Sequence, residues 1–340
     1  MNKCLIYGNG NGVEALYRVF MKLGIYTETK RSEDIFQVKY NGNCIDIGHL
    51  RKMEYMPEHY FTHKKIKDKS AFLGLILGLS YGRDAIREDM IDVSVLNAST
   101  SGQDLFYDSC VLREVTQRKK IKFIIQTIAP YSLRYDESLS ATKKKEVGFY
   151  YTRYKTLHNN KILIEDAEEY DRQRRIFNDT FKGLTDWESV SKMMWEDYLE
   201  HNLYDIRSKQ ECKSFIEEMV SCSELDMIKR QYNKPFQKTI EENKVIIRQM
   251  YELESKTTKV LFFFPPFTKF YKEWWNENYY KETLDYIKNI AVGIHADVLD
   301  MTKEKMDNSY FRDSGHVNRK GAEIVANRIN NWIAANDFKD

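Results

Sequence analysis

Two stretches of this chain carry the residue types that acyl-transfer chemistry needs. Near the C-terminus, Asp313-Ser-Gly-His316 sets a carboxylate three residues from an imidazole, just ahead of a helical pattern with apolar Ala322, Ile324, Val325 and Ile329. At that spacing the carboxylate can fold back onto one ring nitrogen and fix the tautomer. The other nitrogen is then free to take a proton from a nucleophile. Ser80 is the candidate nucleophile. It follows the apolar run FLGLILGL and precedes YGRDAIREDMI, so it falls where a strand turns into a helix. The N-terminus of that helix favours negative charge on an attacked carbonyl oxygen. A serine in this place is equally an ordinary helix N-cap.

A third stretch, Asn97 to Gly102 in VLNASTSGQDLFYD, follows the next strand. Gly102 can present its backbone N–H without side-chain obstruction just before a helix, as an oxyanion donor must. The plain alternative is a Gly/Ser/Thr-rich loop.

The elements that must position these residues read as alternating strands and helices. Strands are expected over 74–79, 92–96, 122–129, 260–264 and 297–299, and helices over 84–90, 104–118, 239–253, 280–291 and 319–334. Alternation of this kind implies a parallel sheet covered on both faces, with ligands at its carboxyl edge. Residues 1–70 read as a small α/β unit, with strands at 4–7, 36–40 and 43–47, a helix at 13–23, a hairpin turn at Asn41-Gly42 and a charged connector at 64–69. Residues 136–235 are polar and helical in pattern, and read as an inserted subdomain or lid between the two parts of the α/β domain, 71–135 and 236–340.

The order of these blocks resembles the SGNH/GDSL hydrolase superfamily, most of all its O-acyltransferase-like branch, which includes the D-alanyl transfer protein of teichoic acid synthesis and alginate O-acetylation proteins. The run FFFPPF ahead of the last block is similar as well. The resemblance implies a three-layer α/β/α sandwich with Ser80 as nucleophile, His316 as base and Asp313 as its orienter. It also implies an oxyanion hole made by the Ser80 and Gly102 N–H groups. The implied function is serine-dependent hydrolysis or O-acyl transfer on a carbohydrate-linked or other small acyl ester. The alternative is a catalytically degenerate binding or assembly protein of surface-polysaccharide biosynthesis. Two departures stand out. The usual Gly-Asp-Ser is Gly78-Leu79-Ser80, and IIQTIAPYS lacks the Gly-x-Asn-Asp of the third block. Asn97, Gln126 and Tyr131, with Ser132, are the side chains open to substrate or oxyanion contact in its place.

Composition narrows the field. Charged residues make up 31% of 340, yet the net charge is only +2, which argues against disorder and against a nucleic-acid partner. The 14% aromatic content, including 23 Tyr, suits stacking on sugars or plain core packing. Five Cys with no CxxC spacing point to reduced thiols and to no metal site, and His49, His59 and His63 have no convincing ligand spacing. No cofactor is expected. Gly8, Gly10 and Gly12 form an imperfect nucleotide fingerprint, with Val13 where the third glycine belongs, and read as a tight strand-to-helix turn. With no run long enough for a signal peptide or a membrane span, a cytoplasmic protein without membrane insertion is expected, with an acylated small molecule or glycan as partner. The amphipathic stretch around Trp187, Met194 and Trp195 is expected to pack in a core. WWNENYY, at 274–280, is a sugar platform or a packed loop.

Overall fold

The computed structural model describes residues 3–54, 57–68, 71–139, 144–156, 158–159, 164–202, 214–216, 222–232, 237–254 and 256–338. Within it the chain divides into two compact units, one built from residues 1–60 and 138–207, the other from 61–137 and 208–340.

The first unit carries a four-stranded sheet. Strand β1 (Cys4–Gly8) runs into the helix Asn11–Lys22, which returns to β2 (Thr27–Arg31), parallel to β1. Strands β3 (Gln37–Tyr40) and β4 (Asn43–Asp46) form an antiparallel hairpin on the other side of β1, giving the order β2-β1-β3-β4. The glycine-rich turn ends at Gly10, which occupies the cap position of the helix. Helices Ile47–Glu54, Lys144–Tyr154, Ile164–Thr180 and Trp187–Asn202 also belong to this unit. Phe177, Phe181, Trp187 and Met194 join Ile6, Phe20, Val38 and Ile45 in one buried cluster. Phe20 meets Phe181 at 5.2 Å, Phe177 meets Trp187 edge-on at 5.2 Å, and Arg18 closes a fork on the buried Asp197 carboxylate at 2.7 and 2.9 Å.

The division therefore differs from the three segments expected from the sequence. Most of the expected insertion shares a core with the N-terminal strands, because the four-stranded sheet and the helices Asn11–Lys22 and Ile47–Glu54 leave apolar surface that the later helices cover. Trp187 and Trp195 are core residues, as expected for that amphipathic stretch. The expected connector over 64–69 lies, as far as residue 68, inside the helix Pro57–Asp68. Pro57 opens this helix, a position where its missing N–H costs nothing.

The second unit holds five parallel strands, β5 (Gly74–Leu77), β6 (Val95–Asn97), β7 (Phe123–Thr127), β8 (Lys259–Phe264) and β9 (Asp297–Asp300), in the order β6-β5-β7-β8-β9. Alternate side chains along them face opposite layers. Ile76, Ile125, Leu261 and Phe263 pack with Val325, Ile329 and Ile333 of the terminal helix Arg319–Ala335. Phe262 and Phe264 meet Tyr251 of the helix Gln237–Glu254 and Tyr280 of the helix Glu277–Gly293. Helices on both faces make this a three-layer α/β/α sandwich. Successive strands leave β5 on both sides, so the carboxyl edge between β5 and β7 is the place where such a sheet opens a crevice.

Candidate active site

Ser80 lies at that edge. Strand β5 ends at Leu77, and Gly78 turns the chain with φ +124°, a conformation that suits glycine alone; a Cβ there would come within 2.7 Å of the Thr127 carbonyl oxygen. Leu79 takes the cap position and Ser80 is the first residue of the helix Ser80–Ala85, so the Ser80 hydroxyl is not spent on a cap. Ser80 Oγ lies 2.8 Å from His316 Nε2.

The acid and base sit on a short, closed loop. Phe311 and Val317 bridge antiparallel, the Arg312 N–H donates to the His316 carbonyl at 2.9 Å, and Asn318 caps the terminal helix. This closure points His316 and Asp313 to the same side. His316 Nδ1 is 2.9 Å from Asp313 Oδ1 and 3.1 Å from Oδ2. The same Oδ1 accepts from the Gly315 and His316 N–H groups at 3.0 and 2.8 Å. An ionised carboxylate only accepts, so Nδ1 carries the proton and Nε2 faces Ser80 with its lone pair. Partial burial alone would raise the Asp313 carboxyl. His316, Arg312 and the Gly315 N–H outweigh it and hold this group well below the usual carboxylate range. The His316 side chain is 19% exposed, so the site opens to solvent.

Aromatic rings hold the imidazole from the side. Tyr81 stacks on His316 with ring centroids 4.7 Å apart, and Phe267 packs edge-on against Tyr81 at 5.1 Å. Leu79, Tyr131, Ile228 and Tyr271 belong to the same buried cluster. Thr268, just after Pro265-Pro266-Phe267, donates both its N–H and its Oγ1–H to the Ser314 carbonyl, at 3.2 and 2.7 Å. Glu224, from the helix Cys222–Tyr232, accepts the Ser314 N–H at 3.0 Å. These contacts were not visible in the sequence; the only local hint is the aromatic residue directly after Ser80.

The other expected site residues separate into two groups. Gly102 lies in the loop beside the Ser80 turn. The Thr100 N–H donates to the Gly78 carbonyl at 3.1 Å, Arg83 Nη1 reaches Ser101 Oγ at 2.9 Å, and the Gly102 N–H has no hydrogen-bond partner among the described residues. Tyr131 stands in the aromatic cluster, its hydroxyl 3.5 Å from that of Tyr81. Asn97, Gln126 and Ser132 are engaged elsewhere, which corrects their expected place as oxyanion contacts. Asn97 Nδ2 donates to the Gly82 and Ile86 carbonyls at 3.1 and 2.6 Å, and its Oδ1 accepts from Ser99. Gln126 is wholly buried, donating to Asp108 at 2.8 Å and accepting from Tyr251 at 2.5 Å. Ser132 Oγ accepts from the Ala129 N–H. Of the histidines outside the motif, His49 bonds the Asp166 carbonyl at 3.0 Å and His63 lies 3.5 Å from Glu114. In WWNENYY, Trp275 stacks on Tyr280 at 4.9 Å, while Trp274 is exposed, with Lys229 Nζ 5.0 Å from its ring centre.

No protein family and no curated protein matches this sequence. Among solved structures the chain is similar to the lipase/acylhydrolase from Enterococcus faecalis, at 10% identity and a TM-score of 0.36, over 78% of this chain and 96% of that one. Among the described residues no helix is long and apolar enough to cross a membrane.

Proposed function

We propose that this protein is a serine-dependent acyl-ester hydrolase or O-acyltransferase, acting on an acylated small molecule or glycan through a Ser80 acyl-enzyme. The observation that carries this reading is the unbroken run of hydrogen bonds from Ser80 Oγ through His316 to Asp313. As Oγ attacks the ester carbonyl, His316 Nε2 takes its proton and Asp313 steadies the imidazolium. The Ser80 and Gly102 N–H groups receive the negative oxygen of the tetrahedral intermediate. Collapse expels the alkoxide, which leaves with the proton from His316, and the acyl group stays on Ser80. Water as the second acceptor completes hydrolysis; a sugar hydroxyl completes transfer. The exposed Trp274 ring offers a stacking face for a glycan acceptor.

Short-chain nitrophenyl esters test the reaction. Wild-type protein is expected to release nitrophenol, and Ser80→Ala and His316→Ala to release none above background. The double variant should lose little more than either single one, because nucleophile and base act as a unit. Turnover that persists in Ser80→Ala would remove the assignment of Ser80 as nucleophile, and no turnover by the wild-type protein would leave the binding or assembly reading in its place.

A further inference from the structure

Resting on that reading, we propose that Arg312 and Asp84 are positioning residues, a pair that ties the helix carrying Ser80 to the loop carrying Asp313 and keeps the Asp313 carboxylate turned to His316. Arg312 Nη2 lies 2.7 Å from Asp84 Oδ2, and its Nε lies 3.4 Å from Asp313 Oδ2. Both members of the first pair are well shielded, with side chains 20% and 13% exposed. From its other side Asp84 is held by Arg83, at 2.8 Å to Oδ1 and 3.0 Å to Oδ2.

Sequence spacing explains why this pair can act on the site. Ser80 and Asp84 are four residues apart on one helix, so they share a face. Arg312 and Asp313 are adjacent on the closed loop. The Asp84–Arg312 contact is therefore a second link between the two segments, beside the Ser80–His316 hydrogen bond itself.

Competition between partners gives Asp84 its role, and the contact of Arg312 Nε with Asp313 Oδ2 gives Arg312 its own, which is to fix how that carboxylate is turned. A guanidinium closes readily onto a carboxylate with two parallel hydrogen bonds. Were Asp84 absent, Arg312 would be free to grip Asp313 from the Oδ2 side and draw it off the imidazole. Asp84 engages the Nη2 end of the fork and leaves Asp313 only the longer contact to Nε. Asp313 then keeps its shorter contact, 2.9 Å, for His316 Nδ1. The charges alternate along the run Arg83, Asp84, Arg312, Asp313, so each of the four groups has an opposite neighbour. Burial alone would raise the Asp84 carboxyl; Arg83, His316 and Arg312 outweigh it and hold the group below its ordinary value, so it stays ionised and able to keep hold of Arg312.

The test is a mutant cycle read by the rate of labelling with a fluorophosphonate probe. Asp84→Asn and Arg312→Met are made alone and in the Asp313→Asn background. If both residues act through Asp313, each slows labelling by about tenfold in the wild-type background and by less than about twofold when Asp313 is already Asn. Arg312→Lys, which keeps the charge but not the fork, should recover part of the rate, and it serves as the milder variant if Arg312→Met fails to fold. Equal losses in both backgrounds would overturn the proposal, since they would mark a general structural effect. A second readout does not depend on catalysis: proton–nitrogen correlation spectra of the His316 ring. The proposal expects the Nδ1-protonated tautomer in wild type and a mixture in Arg312→Met, whereas an unchanged ring spectrum would overturn it. If wild-type protein is never labelled at Ser80, the acyl-enzyme reading fails by itself and the ring spectra still decide the role of Arg312.

Discussion

The His316 imidazole lies stacked on the Tyr81 ring, with centroids 4.7 Å apart and planes 21° from parallel. Tyr81 directly follows Ser80, so the residue that flanks the nucleophile also sets the plane of its partner. Stacks of this kind contribute about 0.5–1.5 kcal/mol beyond simple burial. Tyr81→Phe keeps the ring and should keep the ester hydrolysis rate within about twofold. Tyr81→Ala frees the imidazole to rotate and should lower the rate by about tenfold with little change in KM, a split that steady-state kinetics measures.

Asp313 gives a prediction in acid. Its carboxyl is held below the ordinary value by His316, Arg312 and the Gly315 N–H against the effect of burial. A depressed folded-state value means that its contribution to stability is present above the unfolded value of about 3.9 and is lost as pH falls through the folded one. The melting-temperature difference between wild type and Asp313→Asn should therefore persist from neutral pH to about 5 and should close only in stronger acid. A gap that closes between pH 7 and 5 would contradict it. At neutral pH the same variant should retain some activity, with a loss on the order of 10²–10⁴, because its amide no longer fixes the tautomer.

The parts of this chain legible in its sequence are those whose signal is local. Strand β8 is expected at 260–264 and found at Lys259–Phe264, because an unbroken apolar run ending in Pro-Pro reads as a buried strand. Ser80, Asp313 and His316 come from local motifs, and they meet across 236 residues of chain. Strand β2, Thr27–Arg31, has no such local signal, because its Thr-Glu-Thr-Lys-Arg sequence is mostly exposed and it is held by backbone pairing with β1. The use of Gln126 was equally hidden. A single amide in an apolar strand does not reveal whether it faces substrate or, as here, a buried carboxyl. Nor could spacing along the chain show that residues 138–207 complete the core of the N-terminal strands, since that pairing depends on which apolar surfaces remain uncovered.

The buried partner of Gln126 makes stability depend on pH in the opposite sense. Asp108 receives hydrogen bonds from Gln126 and Gln103 at 2.8 and 2.6 Å, and one from the Gly78 N–H in the turn that leads to Ser80. Burial raises its carboxyl most and Asp104 adds to it, so that despite those hydrogen bonds the group is pushed up to about 7. A raised folded-state value means that stability is full below the unfolded value of about 3.9 and is lost as pH rises through about 7. Wild-type stability should fall by a few kcal/mol, as an order of magnitude, between pH 5 and 8. Asp108→Asn should flatten that slope in denaturant titrations. An identical slope in both proteins would place its origin elsewhere.

The identity of the nucleophile is tested most directly by mass-spectrometric mapping of a fluorophosphonate adduct on the intact protein. One adduct is expected, on the peptide that contains Ser80, absent from Ser80→Ala and from His316→Ala and formed more slowly in Asp313→Asn. No adduct on the wild-type protein, or an adduct that persists when Ser80 is Ala, would contradict the assignment of Ser80, His316 and Asp313 as an acyl-transfer site.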